Sequence, residues 1–288
     1  MALNHEEATA RSAPQGLGSR IGPDLRPRVA AAVVMGLAAL ATAWIGGIVF
    51  VAFWWIASVV VLWEWQRIVH ADRLIERVAA GTFGLALAAL LAFHNTRFGA
   101  ASALLVTAAL VGWLAGASGR IWAAGGVVYA GSLVVSLGLL SVSPNYGLAA
   151  ILWLFAVVWG ADVAAYFGGR LIRGPRLWPS VSPGKTWSGA VAGALIGAAL
   201  GLLLAGWTNR IDRLFGLGLA TAVVSELGDL FESALKRRFG VKDSSNLIPG
   251  HGGLMDRLDA FVAASVFAAL VAVFNAKGSY IASGLFQW

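Results

Sequence analysis

Apolar runs of about twenty residues follow one another along most of this 288-residue chain, and that pattern leaves few folds open to it. A helix rises about 1.5 Å per residue, so roughly twenty apolar residues cross the hydrocarbon of a bilayer. Residues 29–68 hold two such runs, broken near Gly46-Gly47. Further runs fall near 78–94, 98–116, 121–141, 147–169, 187–207, 213–232 and 258–276. The expectation is an all-α integral membrane protein with about nine transmembrane helices. Composition agrees: 12% of residues are charged, against about a quarter in soluble domains. Thirteen tryptophans suit two membrane interfaces, and 36 glycines let helices approach closely in lipid. Ala41-Thr42-Ala43 resembles a signal-peptide cleavage site, but the apolar run continues beyond it, so the first span is read as retained.

Three regions are expected: a polar tail over 1–28, a set of transmembrane helices over 29–146, and a catalytic membrane region over 147–288. Lysine and arginine orient them. With the N-terminus cytoplasmic, seventeen of the 21 basic residues fall on inside segments and Arg97, Arg210, Arg213 and Lys277 fall outside. Two long loops, 170–187 and 233–257, then share the cytoplasmic side. The net charge of +7 is spread among loops rather than gathered in one stripe, which argues against nucleic acid and for anionic headgroups or phosphorylated substrates. The absence of cysteine excludes disulfides and thiolate metal sites.

Acidic residues lie in or beside the later apolar spans: Asp162, Glu226, Asp229, Glu232, Asp256 and Asp259. An ionisable group in a membrane span is costly and is a functional candidate by default. A buried charge paired with a nearby arginine is the plainer explanation for any one of them, less so for the cluster. Glu226, Asp229 and Glu232 recur every three residues, near one helix face, and Asp256 and Asp259 share that spacing. Two helices can thus present carboxylates to each other. Hard oxygen ligands of this kind suit Mg²⁺, which keeps waters and takes substrate phosphates; a lone His251 without cysteines does not suit zinc.

The 170–187 loop carries Gly184-Lys185-Thr186. A phosphate-binding P-loop needs a glycine at position 179, which is Pro179, and a preceding strand where a membrane loop is expected, so that motif is rejected. A glycine turn feeding a helix N-terminus still suits phosphate, with Lys185 as a point charge; a plain turn with a snorkelling lysine is the alternative. The 233–257 loop holds Lys236, Arg237, Lys242, Asp243, and His251 between glycines. A solvated positive-inside loop accounts for Lys236, Arg237 and Arg238, but not for Lys242-Asp243 or the glycine turn. Three glycines around a histidine suggest backbone brought close to a ligand. Magnesium-binding acids beside phosphate-binding bases make a phosphoryl or nucleotidyl transfer site.

Ser233, Lys236-Arg237, Lys242-Asp243, His251-Gly252-Gly253 and Asp256-Arg257-Leu258-Asp259 together resemble the signature of the phosphatidate cytidylyltransferase (CDP-diacylglycerol synthase) family. The stretches at 159–170, 182–189 and 228–233 resemble it too, so the likeness covers about 159–260. It implies CTP and phosphatidate as substrates and CDP-diacylglycerol and pyrophosphate as products; the basic-residue count puts this site on the cytoplasmic face, and a plasma membrane is the simplest setting. It implies that Asp229 and Asp256 hold Mg²⁺, with a second cation such as K⁺, and that the enzyme is a homodimer. Lys185, Lys242 and His251 join the two aspartates as expected catalytic groups. Asp162, Ser182, Gly184, Thr186, Lys236, Arg237, Asp243, Gly252, Gly253 and Arg257 are expected to line the substrate site, and Tyr166, one turn from Asp162, is a further candidate. The rival readings are a cytidylyltransferase for another lipid phosphate and an ion-coupled transporter using Asp162, Glu226 and Asp229 as a cation path.

Overall fold

The computed structural model describes residues 25–205, 211–248 and 252–287. Helices α1 (Leu25–Ile45), α2 (Gly47–Ile68), α3 (Leu74–Phe93), α4 (Arg97–Leu114), α5 (Gly116–Ser141) and α6 (Gly147–Leu171) come first. A hairpin of β1 (Arg176–Trp178) and β2 (Ser182–Thr186) follows, then α7 (Trp187–Ala205), α8 (Ile211–Arg238), α9 (Met255–Asn275) and a short α10 (Ser283–Phe286). The nine expected helices are all present. Among the described residues, the eight from α2 to α9 are long and apolar enough to cross a membrane. Helix α1 (Leu25–Ile45) is a ninth apolar helix, with Ala30–Ile45 as its apolar stretch among the described residues.

Helices are the natural answer here because lipid offers the backbone no hydrogen-bond partners, and a helix satisfies its own. Glycines 46 and 47, with φ of 67° and 57°, break the long apolar run between α1 and α2 where a side chain would be strained. Large apolar side chains such as Trp44, Phe83, Phe98, Leu203 and Phe274 stay exposed; a soluble surface would not tolerate so many, whereas a lipid-facing one does. Inside, α5 is the most buried span. Trp54, Phe155 and Phe261 stack between α2, α6 and α9, with Trp54 and Phe261 centroids 5.2 Å apart.

Helices α6 and α7 meet backbone to backbone. A Cβ on Gly189, Gly193 or Gly197 would lie 2.7, 2.8 or 2.7 Å from the carbonyl oxygens of Ala165, Ala161 and Val157. Repeating every fourth residue, these glycines form one flat stripe of the kind that lets helices pack closely in lipid.

Two features depart from the expected loop boundaries. The 170–187 loop folds into the hairpin, with Arg176 opposite Thr186 and Trp178 opposite Ser182. Helix α8 runs past the expected end at 232 to Arg238, so Ser233, Lys236 and Arg237 stand on a helix and not in a loop. Lys236, Arg237 and Arg238 fill its last turn, where cations favour the negative end of the helix dipole.

Candidate active site

One cavity of about 600 Å³ gathers residues from α6, the hairpin, α7, α8 and α9. Helix α6 contributes Asp162 and Tyr166; the hairpin contributes Leu177, Gly184, Lys185 and Thr186. Helix α8 contributes Glu226, Asp229, Glu232 and Lys236, so the three-residue acidic spacing does face one way. The connecting loop adds Asp243, and the first turns of α9 add Asp256, Arg257 and Asp259.

Lysines bridge the acids. Lys185 Nζ lies 2.7 Å from Asp229 Oδ2, carrying the hairpin onto α8. Lys236 Nζ lies 2.7 Å from Glu232 Oε2 one turn away and 2.8 Å from Asp256 Oδ1 on α9. Asp256 also gathers backbone: Ser244 N–H donates to its Oδ2 at 3.0 Å and Gly253 N–H at 2.8 Å. Gly252, at φ 81°, lies so close to Asp256 that a Cβ would strike its carboxylate. A further carboxylate, Glu64 on α2, reaches the same loop from the first half of the chain. Thr186 closes the hairpin and starts α7, its Oγ1 accepting the Gly189 N–H at 3.2 Å as an N-cap.

Comparison with known proteins places this arrangement. A model of the cytidylyltransferase family matches residues 26–274. The chain belongs to the cytidylyltransferase family. It is 38% identical over 261 residues to the phosphatidate cytidylyltransferase of Brucella suis biovar 1 (strain 1330), covering 88% of this chain and 94% of that one. The phosphatidate cytidylyltransferase of Pseudomonas aeruginosa is 38% identical over 228 residues, 73% of this chain and 82% of its own. That of Haemophilus influenzae is 43% identical over 145 residues, 48% of this chain and 50% of its own. A cytidylyltransferase is a nucleotidyltransferase enzyme, here a multi-pass membrane one.

Of the residues singled out in the sequence, twelve line this cytidylyltransferase's cavity: Asp162, Gly184, Lys185, Thr186, Glu226, Asp229, Glu232, Lys236, Asp243, Asp256, Arg257 and Asp259. Tyr166 does as well. Ser182 sits in the hairpin outside the lining, paired with Trp178. Arg237 and Lys242 are exposed, away from the lining. Arg237 is one residue past Lys236, and a 100° step round the helix turns it off the cavity face. Gly252 and Gly253 shape the loop beside Asp256 rather than the cavity wall. His251 lies outside the described residues.

The carboxylates of the cavity outnumber its bases, with seven acids against Lys185, Lys236 and Arg257. Glu226 Oε1 and Glu232 Oε1 are buried and have no hydrogen-bond partner. An oxygen-only donor set with orphaned carboxylate oxygens fits a hard cation such as Mg²⁺. Among the described residues no three such side chains converge into a ready-made cage.

A second cavity of about 390 Å³ abuts the first and shares Asp162, Arg257 and Ala260 with it. Its walls are otherwise apolar: Met35 from α1, Phe53 and Trp54 from α2, Phe155 and Trp159 from α6, Phe261 from α9.

Proposed function

We propose that this cytidylyltransferase transfers the cytidylyl group of CTP to phosphatidate, giving CDP-diacylglycerol and pyrophosphate, at the cytoplasmic face of a cell membrane. The observation that carries the reading is the junction of the two cavities. A charged chamber meets an apolar one at Asp162 and Arg257, which suits a substrate whose head is a phosphate and whose tails are hydrocarbon. The relatives named phosphatidate cytidylyltransferase support the same substrate.

In this reading the lipid phosphate lies at the junction near Arg257, and the triphosphate lies in the charged chamber beneath the hairpin. A phosphomonoester has a second pKa of about 6, so the lipid phosphate is largely dianionic near neutrality and attacks without a strong protein base. Its oxygen forms a bond to the α-phosphorus of CTP while the bond from that phosphorus to the pyrophosphate oxygen breaks. The protein's task is to bring two polyanions together and to stabilise the leaving group. Lys185, Lys236 and Arg257 supply positive charge in a chamber already shaped for it, which is electrostatic preorganisation. Asp229 and Asp256 would hold Mg²⁺, sharing their carboxylates with Lys185 and Lys236 respectively. When bound, that ion neutralises phosphate charge and stabilises the pyrophosphate as it departs. The cytoplasmic orientation rests on the skew of lysine and arginine toward the loops at this end.

The test is incubation of purified protein with labelled CTP, Mg²⁺ and a panel of acceptors: phosphatidate, an isoprenoid ether-lipid phosphate and water-soluble glycerol 3-phosphate. CDP-lipid from phosphatidate and none from glycerol 3-phosphate is expected. Preference for the ether lipid would move the assignment to that substrate, and no product from any acceptor would defeat it.

A further inference from the structure

Glu64, near the end of α2, is a fully buried carboxylate. Among the described residues no lysine or arginine pairs with it. Its partners lie 181 to 191 residues away. Ser245 Oγ–H donates to Oε1 at 2.6 Å, Leu254 N–H donates to Oε1 at 2.9 Å, and Met255 N–H donates to Oε2 at 2.6 Å. Ser245 Oγ in turn accepts the Leu247 N–H at 3.1 Å.

These are the donors a helix leaves unsatisfied at its start. Leu254 occupies the N-cap position of α9 and provides no side-chain cap. Glu64 takes that role from another helix: an acid at the positive end of the α9 dipole, bonded to its first free N–H groups. The fit is tight enough to dictate sequence. A Cβ on Gly253 would collide with the Glu64 carboxylate and with Ser244 Oγ, so the residue before the cap is a glycine.

We propose that Glu64 is a positioning residue for the transfer reaction, fixing the start of α9 and with it Asp256 and Arg257 in the cavity. The proposal rests on the reading of that cavity as the reaction site. The two carboxylates divide the loop between them. Asp256 takes the Ser244 and Gly253 N–H groups, and Glu64 takes the next two along with Ser245. With Glu64 in place, the loop cannot slide along α8 without breaking several charge-assisted bonds in a buried site, which are costly to lose. Glu64 is not itself among the residues lining either cavity; it acts through α9. It also ties the first half of the chain to the site in the second half.

Glu64→Gln keeps size but offers an amide N–H₂ where a second acceptor is needed. The experiment measures hydrogen exchange across 244–256 and steady-state kinetics on the same detergent-purified, folded sample. Exchange at Leu254 and Met255 is expected to rise while the other helices keep wild-type protection. kcat is expected to fall about tenfold or more, with KM for CTP within about twofold of wild type. A purely structural role would lower the yield of folded protein and leave kcat per folded molecule unchanged. Ser245→Ala covers the case in which Glu64→Gln does not fold. It removes one donor, leaves the buried carboxylate on two backbone N–H groups, and should shift exchange and kcat in the same direction by a smaller factor. Wild-type kcat in folded Glu64→Gln, or unchanged exchange at Leu254, would overturn the proposal. If Glu64→Gln does not fold, wild-type exchange and kcat in Ser245→Ala overturn it. An inactive wild-type protein would instead count against the cavity's reading as the reaction site.

Discussion

Lys185 and Asp229 meet at 2.7 Å across the cavity, each about a quarter to a third exposed, so their mutual attraction is weakened by water. The contact is better read as a poised charge than as a source of stability. Lys185→Ala should leave the protein folded and inserted and lower kcat/KM by roughly tenfold or more, since one charged contact commonly contributes about 1.5–3 kcal/mol; unchanged kinetics would return Lys185 to the status of a snorkelling lysine. Asp229 and Asp256 should differ when changed to asparagine. Among the described residues Asp229 accepts from side chains alone, the Lys185 ammonium and the Ser233 hydroxyl at 3.3 Å. Asp256 holds Lys236 and two backbone N–H groups. Asp229→Asn should therefore lose most activity with near-normal thermal stability, and Asp256→Asn should lose activity and also lower the thermal midpoint in detergent. Equal stability of the two variants, read by a melting curve, would contradict the backbone role given to Asp256. At this scale the acidic face of α8 and the Asp256-Arg257-Asp259 turn were legible, because a three-residue spacing fixes a helix face without any knowledge of partners. Glu64 was not, although an acid inside an apolar run is a warning in itself. Its significance lies in donors more than 180 residues away, which no local pattern reveals.

Helices were readable to within a few residues because lipid enforces one secondary structure on an apolar run. The hairpin was not. Its strands are three and five residues long, and Pro175, Pro179 and Pro183 hide any alternation. Yet it is the hairpin that brings Lys185 down onto α8. The extension of α8 to Arg238 was missed for a related reason: a basic run looks like loop, but at a helix C-terminus it is favourable. The α6–α7 seam carries a prediction at this level. Gly193 lies under both the Ala161 carbonyl and Glu226 Oε1, each 2.8 Å from where a Cβ would sit. Gly193→Val should push the helices apart, costing about 1–3 kcal/mol by overpacking, and shift Glu226 in the cavity wall. A wild-type melting temperature in that variant would show the seam to be looser than this geometry requires.

Across the whole molecule, the sequence likeness over 159–260 and the cavity agree on location, while the first half enters the site through Glu64 and the apolar chamber. That contribution was invisible beforehand because α1 and α2 read as generic apolar helices. The charge skew predicts which end faces the cytoplasm. Single cysteines at Ser180, Asn246 and Ser279 of this cysteine-free chain should separate the two faces. In intact cells an impermeant thiol reagent should label only the Ser279 position; labelling at Asn246 but not at Ser279 would invert the orientation. The central claim is that the α-phosphorus of CTP is passed to a lipid phosphate where the two chambers meet. Parallel reactions with α-labelled and γ-labelled CTP, phosphatidate and the purified protein test it most directly. The α-label should enter the lipid phase and the γ-label should stay in water as pyrophosphate. Transfer of the γ-label to lipid, or of neither label, would contradict it.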